Sequence, residues 1–182
     1  PTVTVGSATL VYVAGQQSRY LVIDRPENIA ELQTKLDLPL VSSDVWNLTE
    51  IVEGFPILPE SAIQHYVPQM LNLDAIGGIS FTKGCYLGQE TVARMQYLGK
   101  NKKAMTILHG YIESPIEGLA VEKQLGDNWR SAGDVLGHYI SDSGECYLQA
   151  VVASDLDENT LLRFKHQPSS NLTIMTLPYS TQ

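Results

Sequence analysis

The chain has very little cysteine. Among 182 residues only Cys85 and Cys146 carry a thiol. They stand far apart, form no CxxC pair and have no histidine at zinc-ligand spacing, so neither a disulfide framework nor a metal site is expected. No apolar run approaches the ~20 residues that a membrane helix requires, and no basic-then-apolar secretory leader is present. A reduced, cytoplasmic protein is expected. Positive charge is also scarce. Twelve Lys and Arg face twenty Asp and Glu, for a net charge of −8, which argues against the whole chain being a polyanion binder. With 43% hydrophobic and 18% charged residues, the composition is that of a chain that buries a core, not of a disordered one. It begins with Pro1 rather than Met, so processing, or truncation of a longer protein, is expected.

The few cations are unevenly placed. Lys83, Arg94, Lys100, Lys102 and Lys103 face the single acid Glu90 over residues 83–103, a balance of +4 that leaves −12 for the remainder of the chain. Such an island can attract a small anion or a phosphate backbone; Lys100, Lys102 and Lys103 are its candidate anion-binding residues. A solvated surface with clustered lysines is the plainer alternative.

Periodicity and turn residues divide the chain in two. Ala8–Ala14 and Arg19–Asp24 are β-rich and joined by a Gly-Gln-Gln-Ser turn, which reads as a hairpin. Asp24-Arg25-Pro26-Glu27 supplies a cap, a first-turn proline and an early acid for a helix bearing Ile29, Leu32 and Leu36. A second helix is predicted over about Asp44–Glu53, with Val45, Leu48, Ile51 and Val52 as its apolar stripe, and Gly54-Phe55-Pro56 ends it. Residues 57–80 are irregular. A short strand, Ile79–Phe81, and a helix over about Gln89–Met95 flank the loop KGCYLG. Beyond Gly99, six strands are predicted: Lys103–Ile112, Leu119–Glu122, Asp134–Ile140, Cys146–Ala153, Leu161–Phe164 and Leu172–Leu177. Their regular turns indicate a small antiparallel barrel or sandwich. The fold class is therefore α+β, with an α+β unit over 1–98 and a β domain over 99–182.

The loop Lys83-Gly84-Cys85-Tyr86-Leu87-Gly88 carries the most chemistry. A thiol just before a helix sees that helix's free N–H groups and positive dipole end, which favour thiolate. Lys83 adds a nearby charge, and the glycines permit close approach of a ligand to the backbone. Cys85 is thus the candidate catalytic thiol and Lys83 its activator; a small buried cysteine in a glycine turn is the alternative. His65, His109, His138 and His166 carry no spacing signal.

Residues 67–94, VPQMLNLDAIGGISFTKGCYLGQETVAR, closely resemble the signature of the YgfZ family, folate-binding, tRNA-modifying proteins linked to iron–sulfur cluster assembly. PQ, NLD, GGISF, KGCY-x-GQE and VAR fall in order without a gap. The resemblance continues upstream through Trp46 and Gly54-Phe55-Pro56. Downstream it is weaker, through Asn128-Trp129-Arg130 and Leu177-Pro178-Tyr179-Ser180. This family is related to the aminomethyltransferase (T protein) of glycine cleavage. The resemblance implies a three-domain fold around a channel that holds tetrahydrofolate or a related reduced folate. This chain would then be a fragment of it, an incomplete folate-binding domain over 1–98 followed by a six-stranded antiparallel barrel.

The resemblance also places Trp46 at the family's folate-contacting tryptophan, ten residues before the proline of GFP, where an indole can stack on a pterin ring. It further makes Tyr86, Gln89 and Arg94 expected folate-site residues. One position departs. Relatives commonly carry an acid two residues before the glycine, and here that place is Val52, with Glu53 one residue later. A shift of one residue turns a helical side chain by about 100°, which puts that glutamate's role in question here; an ordinary surface acid is the alternative reading of Glu53. The implied function is support of iron–sulfur enzyme maturation or repair, including enzymes that thiolate tRNA. Folate, those enzymes and a weak tRNA contact are the expected partners. Two rivals are a tetrahydrofolate-dependent aminomethyltransferase and a non-enzymatic tRNA-binding module; the KGCY-x-GQE loop argues against the first, and the scarcity of aromatics in the basic island against the second.

Overall fold

The computed structural model describes residues 1–98, 101–113 and 119–181. It groups them into two compact units, Pro1–Val45 and Trp46–Gln182. The sequence placed its boundary near residue 99; by contacts, the signature segment packs with the barrel.

In the first unit, strands β1 (Thr2–Val5), β2 (Ala8–Val13) and β3 (Arg19–Ile23) form an antiparallel sheet in that order. The predicted hairpin is β2–β3, with Tyr12 opposite Tyr20 and their rings 5.4 Å apart. Helix α1 (Pro26–Leu36) begins with its proline in the first turn, where a missing N–H costs nothing. Asp24 is not its side-chain cap. The N-cap residue is Arg25, and the Asp24 carboxylate instead accepts from Arg25 N, Asn28 Nδ2 and Ser7 Oγ. Those hydrogen bonds, Asn28 foremost, lower its pKa.

The second unit is built on a closed barrel of six antiparallel strands: β4 (Lys103–Tyr111), β5 (Val121–Leu125), β6 (Asn128–Ile140), β7 (Glu145–Ala153), β8 (Leu162–Phe164) and β9 (Gln167–Met175). Around the barrel they run β4-β7-β6-β5-β8-β9, and β9 pairs back to β4. Closure leaves no open edge. Inward residues alternate along each strand: Leu108 on β4, Cys146, Leu148, Ala150 and Val152 on β7, and Phe164 and Leu172 form one buried cluster.

Strand β7 reads CYLQAVVA, with too little polar alternation for a half-exposed strand. The reason lies outside the barrel. Val151, with Met105 of β4 and Leu136 of β6, forms a second cluster with Ala62 and Leu71, and Tyr66 and Leu73 pack against it. The irregular stretch 57–80 is thus a cover over the outer face of β4, β7 and β6, punctuated by two 3-10 turns, Glu60–Ala62 and Pro68–Leu71. Tyr66 donates to Asp134 of β6 at 2.8 Å. Burial, followed by that carboxylate, pushes its phenol up to about 12. The strand expected at Ile79–Phe81 does not form. That segment is irregular and has no ladder partner, because the barrel is already closed without it. Among the described residues, no helix is long and apolar enough to cross a membrane.

Candidate functional site

Helix α2 (Asp44–Val52) ends in a Schellman motif. Gly54 N donates to Ile51 O at 3.0 Å and Phe55 N to Glu50 O at 2.9 Å, with Gly54 in the left-handed region at φ +65°. The turn is gripped from the barrel. Gln149, fully buried in the middle of β7, donates to Phe55 O at 2.6 Å and accepts from Ile57 N at 2.8 Å. From the C-terminal tail, Tyr179 donates its hydroxyl to Gly54 O at 2.7 Å. A Cβ on Gly54 would lie 2.7 Å from the Tyr179 ring, so glycine is required there twice, for its φ and for its lack of a side chain.

The buried amides of the signature have similar work. Asn72, itself at φ +57°, donates to Met105 O of β4 at 2.8 Å and lies 3.5 Å from the Tyr179 hydroxyl. Gln69 donates to Val92 O at 2.7 Å, within the first turns of helix α3 (Gln89–Leu98). Its Oε1 is buried without a partner. The PQ and NLD elements therefore fasten α3 and β4 to one another. They are brackets, and the exposed chemistry lies beyond them.

That chemistry is the loop before α3. Cys85 is exposed and not in a disulfide. Lys83 Nζ lies 4.5 Å from the centre of the Tyr86 ring, a cation–π contact that holds the lysine within the loop. Leu87 stands wholly in solvent. On the helix that follows, Glu90, Ala93, Arg94 and Tyr97 line a cleft of about 390 Å³, and the Tyr97 ring meets Phe81 edge-on at 6.4 Å. Gln89 is half-buried and Arg94 exposed. Trp46 is on α2 and half-buried, its carbonyl accepting from Thr49 Oγ1 at 2.7 Å. The Schellman turn fixes the C-terminal end of that helix.

The three lysines expected to bind an anion differ from one another. Lys103 lies 3.9 Å from the Asp134 carboxylate and 6.0 Å from the Tyr66 ring centre, so part of its charge is already answered. Lys102 is exposed. Lys100 lies outside the described residues. Cys146 is a core residue with no exposure, and burial pushes its thiol up to about 11. Among the described residues, no three His, Cys, Asp or Glu side chains converge as metal ligands.

Two residues escaped sequence reasoning. Gln149 sits in an apolar strand, and a lone amide there signals a buried partner. Tyr179 was matched only weakly, yet it closes the GFP turn.

Comparison with known proteins follows the same lines. Residues 101–167 match the family model "YgfZ, beta-barrel domain". The chain is 56% identical over 181 residues to the tRNA-modifying protein YgfZ of Colwellia psychrerythraea, covering 99% of this chain and 56% of that protein. To the proteins of the same name from Edwardsiella ictaluri and Yersinia enterocolitica it is 42% and 39% identical, again over 56% of each relative. It spans about half the length of these curated relatives. Residues 101–167 thus carry a YgfZ barrel domain, and the chain is similar to YgfZ proteins over nearly its whole length.

Proposed function

We propose that the chain is the thiol-bearing part of a folate-binding protein that supports tRNA modification through the maturation or repair of iron–sulfur enzymes. The observation that carries this reading is the exposed Cys85, held in a glycine-flanked loop directly before α3 while Gln69 and Asn72 of the same signature are spent on structure. A thiol at that place is open to a reaction partner and fills no core cavity. The tRNA part rests on the names of the relatives.

Three side chains offer chemistry that suits a reduced folate. Trp46 offers an indole face for the pterin. Arg94 offers a guanidinium for a carboxylate of the glutamate tail. Tyr97 supplies an aromatic wall to the cleft beside it. When bound, a reduced folate supplies a one-carbon carrier. This chain's own residues orient it and present the thiol.

Titration of tetrahydrofolate against tryptophan fluorescence tests the folate part. A chain of the relatives' full length should quench saturably, the 182-residue chain weakly, and Trp46→Ala should abolish the response. Saturable quenching unchanged by Trp46→Ala would remove the indole from the site. Cys85→Ser should leave folate affinity intact and lower the activity of a tRNA-thiolating iron–sulfur enzyme in cells. If that activity is unchanged, the thiol has no part in the function.

A further inference from the structure

The outer face of the barrel carries an aromatic row away from the Cys85 loop. His109 of β4 faces Tyr147 of β7 in register, with ring centres 4.7 Å apart, and meets Tyr111 at 5.8 Å. Its Nε2 lies 2.9 Å from Glu145 Oε1, which also accepts from Tyr147 at 3.1 Å. The imidazole is therefore held by its carboxylate, and Tyr111 is left more than half exposed. Beside these rings lies a cleft of about 310 Å³ whose lining includes His109, Tyr111, Glu113, Ser169, Asn171 and Thr173. Ser169 Oγ donates to the Glu113 carboxylate at 3.3 Å.

No lysine or arginine lines this cleft. The contrast with the other side of the barrel is informative. There the Arg163 guanidinium lies 3.9 Å from the centre of the Trp129 ring and 3.1 Å from Glu122, filling the space between an aromatic face and a carboxylate. At Tyr111 and Glu113 the ring and the carboxylate are both present, and among the described residues that line the cleft no lysine or arginine joins them.

We propose that the Tyr111–His109–Glu113 cleft receives an arginine side chain of a partner protein, its guanidinium flat against the Tyr111 ring and its N–H groups on the Glu113 carboxylate. A planar, delocalised cation suits a ring beside a carboxylate better than an ammonium does. The net charge of −8 favours a basic partner by the same sign, and the carboxylates on this face oppose a phosphate backbone. The site is separate from the Cys85 loop and does not depend on the reading of that thiol.

The test is a titration of the 182-residue chain with the peptide Gly-Arg-Gly-Arg-Gly, followed through the ring NMR signals of His109 and Tyr111. Matched peptides with citrulline or lysine in place of arginine, and an oligouridylate, are run beside it. The arginine peptide should move both rings saturably. Tyr111→Ala and Glu113→Gln should each weaken it roughly three- to fivefold, while Tyr20→Ala, in the other unit, changes nothing. Both substituted positions are on the surface, and an unchanged melting curve confirms that the fold survives. An equal response to the citrulline peptide would overturn the cationic site, and an equal response to the lysine peptide would overturn its preference for guanidinium. Ring shifts with the oligouridylate alone, or none with any probe, would also overturn the proposal.

Discussion

Gln149 and Phe55, 94 residues apart in sequence, are joined by a 2.6 Å hydrogen bond from the side-chain amide of one to the carbonyl of the other. The same amide accepts from Ile57 N, so one buried side chain satisfies both ends of the turn that follows α2. An unpaired buried polar group costs about 1–3 kcal/mol. Gln149→Leu strands a donor and an acceptor together, and a loss of about 2–4 kcal/mol is expected in denaturant unfolding. A loss under 1 kcal/mol would mean that the turn is not held from the barrel.

The Gly54–Tyr179 contact gives a second prediction. Gly54→Ala meets both an unfavourable φ and the Tyr179 ring, so a loss of about 1–3 kcal/mol is expected. Tyr179→Phe keeps the ring and removes the hydrogen bond to Gly54 O with the longer one from Asn72, a loss of about 1 kcal/mol. In a double-mutant cycle, Tyr179→Ala should recover part of the Gly54→Ala loss by clearing the clash. Strict additivity would show that the two residues do not touch in solution.

The two thiols should separate cleanly under alkylation. Cys85 is exposed and Cys146 buried, so iodoacetamide with mass mapping should label Cys85 first and Cys146 only on unfolding. Cys146→Ser places a hydroxyl in the barrel core at a cost of about 1–3 kcal/mol, whereas Cys85→Ser should leave the melting temperature unchanged. Burial raises the Cys146 thiol from 9.0 to about 11. Its neutral form is thus favoured by folding: the stability it contributes is complete below pH 9 and is lost as pH rises toward 11. Early labelling of Cys146 in the native protein would contradict the closed barrel.

Acid should act through Glu145. The hydrogen bond from His109, then that from Tyr147, lowers its pKa below the ordinary 4.5. A depressed carboxylate contributes stability above its unfolded value, and that contribution is lost as pH falls through the folded one. Barrel stability should therefore decline below pH 4.5, and Glu145→Gln should flatten that part of the profile. An identical acid limb in the variant would assign the decline to other carboxylates.

Much of this protein was legible in its residues because the signals are local. Apolar, β-rich runs separated by Gly, Asp, Asn and Ser turns marked all six barrel strands, although β5, β6 and β9 have shifted bounds. Pro26 marked the start of α1, and Gly54 the end of α2. The contiguous motif through Cys85 and Gln89 marked the likeness to YgfZ proteins without any contact being known, since its order along the chain is itself the signal.

What the tertiary structure alone decided is what each polar residue of that motif is for. Gln69, Asn72 and Cys85 look equally available in a string of letters. Only the packing of residues 57–73 on the outer face of β4, β7 and β6 sends the two amides inward to backbone carbonyls and leaves the thiol in water. Strand Ile79–Phe81 failed for the same reason: its apolar residues satisfied a local pattern, but a closed barrel has no edge to receive another strand. Closure and burial are properties of contacts between distant segments, and periodicity within one segment does not encode them.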